Sequence, residues 1–388
     1  MTQNKIKKQG ALEGVRIIDL THAAAGTTCT MMLAAMGAEV IKIEPPWGEI
    51  TRFFPPLINN YSPYFFFLNR NKKGMTLNLK TGKGIKIFKE LVKMGDVVVE
   101  NFGPGTMDRL GLNYDTLKEV NPKIIFASLS GFGQYGPYSK RLSFDNIAQA
   151  SSGYISLCSR WAPGTPPPSE PPRGAAEAIA DTVPGLFTTI AILSALYHRN
   201  VTDVGQKIDV AQADSMIAVE PSVTFYTLTG HPIWSRMSQA LGGIYKAKDG
   251  YVTFSAPLRL QDRLVEFMKS ELDKENIDQS DVEEWALNKS VDEIVEKLAE
   301  AKIPVAPINT IDKVVSDPHF NARELIVKVK HSKLGEVTTT GFPIKFSDTP
   351  GNLESPSPLL GEHTEEVLTT LLGYSKEEVL KLKEENVI

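Results

Sequence analysis

Cys29 and Cys158 are the only cysteines in 388 residues. So few exclude a disulfide framework and a cysteine-based zinc site. The six histidines are scattered, with no pair at metal-ligand spacing. Positive charge is not in excess either. Lys+Arg number 42 against 46 for Asp+Glu, a net charge of −4, which argues against nucleic acid as the main partner. No apolar run approaches a membrane span. Met1–Gly10 is polar and basic with no apolar stretch behind it, unlike a signal peptide. The expectation is a reduced, cytoplasmic protein that engages neither membrane nor nucleic acid.

What is present has the composition of an ordinary globular chain, 42% hydrophobic and 23% charged. The length suits one large domain with a smaller one. Val15–Leu20 (VRIIDL) reads as a buried strand, Thr21–Gly26 (THAAAG) as a small-residue loop and Thr27–Met36 as a helix stopped by Gly37. Glu39–Ile43 is the next strand, ending at Glu44. That is a βαβ unit. An acidic residue in Glu44's position binds ribose in dinucleotide folds. The first loop lacks G-x-G-x-x-G, however, so nothing supports NAD.

The pattern continues. Asn69–Gly74 (NRNKKG) reads as a basic turn before a strand at Met75–Leu79. Gly82–Met94 is a helix, and Asp96–Glu100 a strand that runs into Asn101-Phe102-Gly103-Pro104-Gly105 and then Arg109. Ile124–Leu129 leads into a second glycine-rich loop, Ser130–Pro137. Gly205–Val210 is the last strand of the series. Loops at the carboxyl ends of strands are where α/β sheets bind ligands. Lys72 and Lys73 read equally well as a solvated turn. From about Pro221 to Ser316 the style changes to a smaller α+β domain with strongly charged helices. Strand patterns return at Glu336–Thr339 and Pro343–Phe346, so the large domain spans residues 1–220 and 317–388. Ser375 and Glu378 form a capping box for the last helix.

Asp181 stands alone between a loop rich in Pro, Gly and Ala and a strongly apolar helix. Val183, Leu186, Phe187, Ile190, Leu193 and Tyr197 recur at helical spacing. Pro184 fits only a first turn, which starts the helix near Asp181. Two readings stay open. Asp181 is a helix N-cap, or it is a carboxylate held ionised by the helix end and aimed at a ligand.

Eleven segments in order resemble the family III coenzyme A transferases, among them LEGVRIIDLTHAAAG, GAEVIKIE, LNRNKKGMTLNLKT, ENFGPGTMDRLGL, FDNIAQASSG, IADTVPG and LLGEHTEEVL. The family includes formyl-CoA transferase, carnitine CoA-transferase and α-methylacyl-CoA racemase. The resemblance implies a discontinuous Rossmann-like large domain, a small α+β domain and an interlocked homodimer. The active site would lie between the large domain of one chain and the small domain of the other. It implies transfer of CoA from an acyl-CoA to a free carboxylic acid, with CoA as substrate and no permanently bound cofactor. Asp181 falls on the catalytic aspartate. Ala23, Ala24, Lys72, Lys73, Asn101, Phe102, Gly103 and Arg109 fall on CoA-binding positions. Ala24 replaces a glutamine of the formyl-CoA enzymes, and Phe144 a histidine of the racemases. Acyl-CoA isomerisation and non-catalytic acyl-CoA binding are the alternative readings.

Overall fold

The computed structural model describes residues 10–175, 178–231, 241–257 and 259–388. The reading of Met1–Gly10 therefore lies, apart from Gly10, outside the described residues. The chain forms two compact units, Met1–Val223 with Ala322–Ile388, and Thr224–Asn321.

The first unit is built on six parallel strands: β1 (Arg16–Asp19), β2 (Glu39–Glu44), β3 (Lys72–Thr76), β4 (Val97–Glu100), β5 (Ile125–Ser130) and β6 (Lys207–Ala211). Their order is β3-β2-β1-β4-β5-β6. Alternate residues feed two cores, as parallel sheets covered on both faces require. Ile17, Val40, Val97 and Ala127 face α1 (Ala25–Ala35) and a long helix described below. Ile18, Ile41, Val98 and Phe126 face the other way. There they meet Phe88 and Leu91 of α3 (Gly82–Met94), which follows α2 (Pro63–Leu68), and Leu117 of α5 (Tyr114–Val120), which follows α4 (Thr106–Arg109). The chain's last segment joins that core through Val367, Leu368, Val379 and Leu382. The Ser375–Glu378 capping box is present at the start of the helix Lys376–Glu384.

Between β5 and β6 lie α6 (Asp145–Ser151), α7 (Tyr154–Cys158) and α8 (Ile179–Thr202), and α9 (Gln212–Ala218) follows β6. Helix α8 is long and apolar enough to cross a membrane by length and composition, although 44% of its most apolar window is buried inside this fold. That corrects the expectation that no segment reaches such a span. Gly185 lets α8 press on α1, since a Cβ there would lie 2.6 Å from the Ala25 carbonyl oxygen.

Two other sequence expectations are corrected. β3 begins at Lys72, not Met75, because the Lys72 ammonium finds buried partners and the basic pair enters the sheet. Pro343–Phe346 forms no strand. An antiparallel pair, Ile326–His331 with Gly335–Thr340, stands just before it. In the second unit the charged stretch 282–298 is two helices, Gln279–Leu287 and Val291–Glu300. The Ser290–Glu293 capping box starts the second. That unit encloses its own core, with Tyr245 stacked on Phe254 and Leu264, Trp285, Ile294 and Leu298 around them.

Candidate active site

The strands stay parallel, but the direction in which successive strands are added reverses between β1 and β4, which opens a crevice at their carboxyl ends. The loop after β1 and the loop after β4 form its walls. They are tied together by Asn101. Its Oδ1 accepts from the His22 backbone N–H at 2.9 Å, and its Nδ2 donates to the His22 carbonyl at 2.8 Å. The Asn101 amide is thus a latch between loops, and the next side chain, Phe102, is tilted against the His22 ring at 5.4 Å.

A cavity of about 200 Å³ occupies the crevice, lined among others by Ala23, Ala25, Gly103, Ser130, Arg141 and Asp181. Ala23 sits at φ 54°, a left-handed conformation that alanine rarely adopts. Its N–H donates to buried Glu49. Ala24 is buried beneath, its carbonyl accepting from Thr27, Thr28 and the Thr28 hydroxyl. The first turn of α1 has no side-chain cap, and Ala25, its first residue, lines the cavity.

Asp181 lies in the first turn of α8 but does not cap it. The helix starts at Ile179, after Ala178 in a left-handed conformation, and Pro184 falls in the second turn. The capping carboxylate is Asp145, whose Oδ1 accepts the Ala180 N–H at 2.7 Å while Oδ2 accepts from Gln149 at 2.6 Å. Gln149 in turn accepts the Ala175 N–H. Helix α6 therefore builds the turn that presents Asp181. The Gln212 amide donates to Asp181 Oδ1, and Oδ2 accepts from no described residue. Burial, with the Asp145 charge beside it, pushes the Asp181 carboxyl up to about 6, Gln212 opposing. The carboxylate that bonds the helix end is thus Asp145, and the Asp181 carboxyl is held above the ordinary carboxylate range. Such displaced values are characteristic of reactive groups.

A second cavity of about 220 Å³ shares His22 and Phe102 with the first. It is lined by Trp47, Leu77, Asn78, Leu79, Lys80, Thr106 and Leu110 at the ends of β1, β2 and β3. Lys80 stands over the Trp47 ring at 5.6 Å. Arg109, exposed on α4, donates to Thr106 Oγ1 at 2.8 Å and to the Pro104 carbonyl at 3.3 Å.

The two lysines expected to hold the nucleotide are elsewhere. Lys72 is wholly buried, its Nζ 2.8 Å from Thr30 Oγ1, 3.0 Å from Asn69 Oδ1, 3.1 Å from Asp19 Oδ2 and 3.3 Å from the Thr27 carbonyl. An ammonium has three protons, so none is left for a ligand. Lys73 pairs with Glu39 and Glu366, both at 2.9 Å. Glu39 is the first residue of β2, so Lys73 lies at the strand starts, away from the crevice. Glu44 is bound at 2.6 Å through both oxygens by Arg52, which removes it as a ribose ligand. Sequence reasoning also missed Asp145, Gln212, Arg141 and Leu77–Lys80. Reading Leu77–Leu79 as part of a strand Met75–Leu79 hides them.

Residues 12–364 match the model of CoA-transferase family III. The chain belongs to that family. A Streptomyces coelicolor formyl-CoA:oxalate CoA-transferase is 34% identical, the match covering 97% of this chain and 99% of the relative. The Streptomyces avermitilis enzyme of the same name is 35% identical over the same shares. Among solved structures, a Brucella suis CaiB/BaiF family protein superposes with a TM-score of 0.82 at 30% identity. It covers 94% of this chain and 100% of its own. A Mycobacterium tuberculosis structure reaches 0.77 at 27% identity, covering 92% and 99%. CoA transfer is the activity of this family, and acyl-CoA and carboxylates are its substrates.

Proposed function

We propose that this protein moves CoA from an acyl-CoA to a free carboxylic acid by covalent catalysis at Asp181. The observation that carries the reading is a half-buried carboxylate, one oxygen of which has no partner among the described residues, lining a cavity at the sheet's switch point. Ionised Asp181 attacks the thioester carbon, a C–O bond forms, and the CoA thiolate leaves with the C–S electron pair. The thiolate then attacks the aspartyl carbonyl of this mixed anhydride. It releases the first acid as a carboxylate and leaves an Asp181–CoA thioester. The incoming carboxylate attacks that thioester and expels the thiolate, which takes the new acyl group and frees Asp181. No net proton and no ATP are needed, because the thioester energy is conserved. Each tetrahedral oxyanion needs preorganised donors, and the uncapped first turn of α1 offers backbone amides beside Ala25.

The two connected cavities support one long ligand. The apolar slot of Trp47 and Leu77–Lys80 suits the adenine end, with Lys80 and Arg109 for its phosphates. Phe102 and His22 flank the pantetheine arm, and the thioester reaches Asp181. Arg109→Ala and Lys80→Ala should each weaken CoA binding by about 1.5–3 kcal/mol, roughly ten- to a hundredfold. Lys73→Ala should leave it unchanged. Titration calorimetry with CoA checks this, and an unaltered affinity in Arg109→Ala rejects the placement.

The relatives' names suggest formyl-CoA and oxalate as the first pair to try. Incubating formyl-, acetyl- and succinyl-CoA with oxalate, acetate and succinate separates the possible activities. Exchanged thioesters support transfer. Solvent deuterium at the α-carbon supports isomerisation, and neither outcome leaves only binding.

The active form we propose is a homodimer in a reducing cytoplasm. Phe187, Ile190, Tyr197 and Val201 form an exposed apolar stripe along α8, with Tyr197 74% and Val201 72% exposed. Patches of this kind mark contact surfaces, and a second copy of the chain is the occupant the family resemblance implies. Sedimentation at micromolar concentration should give a dimer whose melting temperature rises with concentration. A monomer with a concentration-independent melting temperature rejects it.

A further inference from the structure

Among the described non-glycine residues with positive φ, only Ala23 and Ala178 are apolar. Ala178 immediately precedes α8, which carries Asp181, and Ala23 lines the Asp181 cavity. A residue in such a conformation persists only where its surroundings force it. For Ala23 they do. The peptide joining His22 to Ala23 is gripped at both ends. Its carbonyl accepts from Asn101 Nδ2 at 2.8 Å, and its N–H donates to Glu49 Oε2 at 3.2 Å. Turning that planar unit over would change ψ of His22 and φ of Ala23 together. It would carry Ala23 from 54° to the negative φ that alanine prefers. The two hydrogen bonds oppose that flip. Glu49 is itself fixed. It is 6% exposed, and its Oε2 also accepts the Thr51 N–H at 3.1 Å. The Thr51 hydroxyl donates to Oε1, and the Glu49 N–H donates to Glu44, which Arg52 holds.

We propose that Glu49 is a positioning residue for CoA, a buried carboxylate that keeps the His22–Ala23 peptide from flipping and so keeps the cavity wall in its binding shape. This rests on the CoA placement in the transferase reading above. His22 lines both cavities, Ala23 the first and Glu49 the second. The clamped peptide therefore stands where the pantetheine arm would pass from one to the other. A carboxylate can only accept. It attracts the N–H that faces it and repels the carbonyl oxygen that a flip would bring in its place. The disturbance would end at Ala23. The Ala23 and Ala24 carbonyls accept from the Thr27 and Thr28 hydroxyls of α1, so the helix that follows keeps its place. Glu49 thus governs what fraction of the protein is ready to bind CoA, not the reaction of CoA once bound.

The test measures CoA affinity by titration calorimetry, and kcat and KM with the donor–acceptor pairs named above, in Glu49→Gln, Ala23→Gly and the double variant. The amide introduced by Glu49→Gln keeps the shape but can donate as well as accept. Both peptide orientations are then satisfied, and the strain at Ala23 favours the flipped one. With about nine tenths of the molecules flipped, CoA affinity falls about tenfold. KM for acyl-CoA rises with it, while kcat at saturation stays within about threefold of wild type. Ala23→Gly removes the strain, since glycine takes positive φ freely. The loss caused by Glu49→Gln should therefore shrink to within about twofold when measured in the Ala23→Gly background. A carboxylate with a merely structural role would cost the same in both backgrounds, and that result overturns the proposal. So does an unaltered CoA affinity in Glu49→Gln, or a fall in kcat with KM unchanged. A wild type that binds CoA but transfers nothing removes the transferase reading, and the calorimetry still decides this proposal. A wild type that binds no CoA removes both.

Discussion

Asp181→Ala should fold, bind CoA with wild-type affinity and lose at least a thousandfold in transfer, because it removes the atom that forms both covalent intermediates. The structure strengthens the expectation that it folds. Asp145, not Asp181, caps α8, so the substitution forfeits one hydrogen bond from Gln212 and no helix cap. Hydroxylamine should inactivate wild type only in the presence of acyl-CoA, and mass spectrometry should find the hydroxamate on Asp181. Near-normal transfer by Asp181→Ala, or a label on another residue, rejects the mechanism.

The same carboxyl gives a pH signature. Its folded-state value is raised from 3.8 to about 6. The nucleophile is the ionised form, so wild-type kcat/KM should fall below about pH 6. Stability runs the other way. A carboxyl raised on folding stabilises fully below its unfolded value, and that contribution is lost as pH rises through the folded one. Above pH 6 the wild type therefore carries a penalty. About two units correspond to at most about 3 kcal/mol, less what residual solvent screening removes. Asp181→Asn should be about 1–3 kcal/mol more stable than wild type at pH 8 and equal to it at pH 4. Urea titrations at both pH values measure the difference. A variant less stable at pH 8 rejects the assignment.

The parts legible in the sequence were those with a period or a fixed spacing. Apolar runs at Val15–Leu20, Asp96–Glu100 and Ile124–Leu129 gave the parallel strands, and Asp181 stood out as one carboxylate before an apolar helix. Single polar residues whose partners lie far along the chain were not legible. Gln212 is 31 residues from Asp181, and Asp145 is 35 residues from the amide it caps. Neither belongs to a pattern. The Lys72–Lys73 pair misled because adjacent lysines before a glycine ordinarily mean a solvated turn. Burying Lys72 requires Asp19, Thr30 and Asn69 around one amine, a condition that only the folded βαβ unit meets. Starting β3 three residues earlier also takes Leu77–Leu79 out of the expected strand Met75–Leu79 and places Leu77–Lys80 just past the strand's end, in the wall of a cavity.

That misreading yields the largest stability effect expected here. Lys72→Met should destabilise the protein by about 3–5 kcal/mol, since it leaves the Asp19 carboxylate buried beside a methylene chain. Burial alone would raise Asp19, but Lys72 and Lys42, with the Thr21 donors, hold its carboxyl below the ordinary value. Burial pulls Lys72 down to about 8, Asp19 opposing. Both groups are therefore charged at pH 7, and removing one strands the other. The second substitution Asp19→Leu should recover much of the loss, because two matched apolar side chains avoid the desolvation cost that one stranded charge cannot. Urea unfolding of the two single variants and the double variant completes the cycle. CoA affinity per folded molecule should stay at the wild-type value in Lys72→Met. Weakened CoA binding with stability untouched would return Lys72 to the ligand.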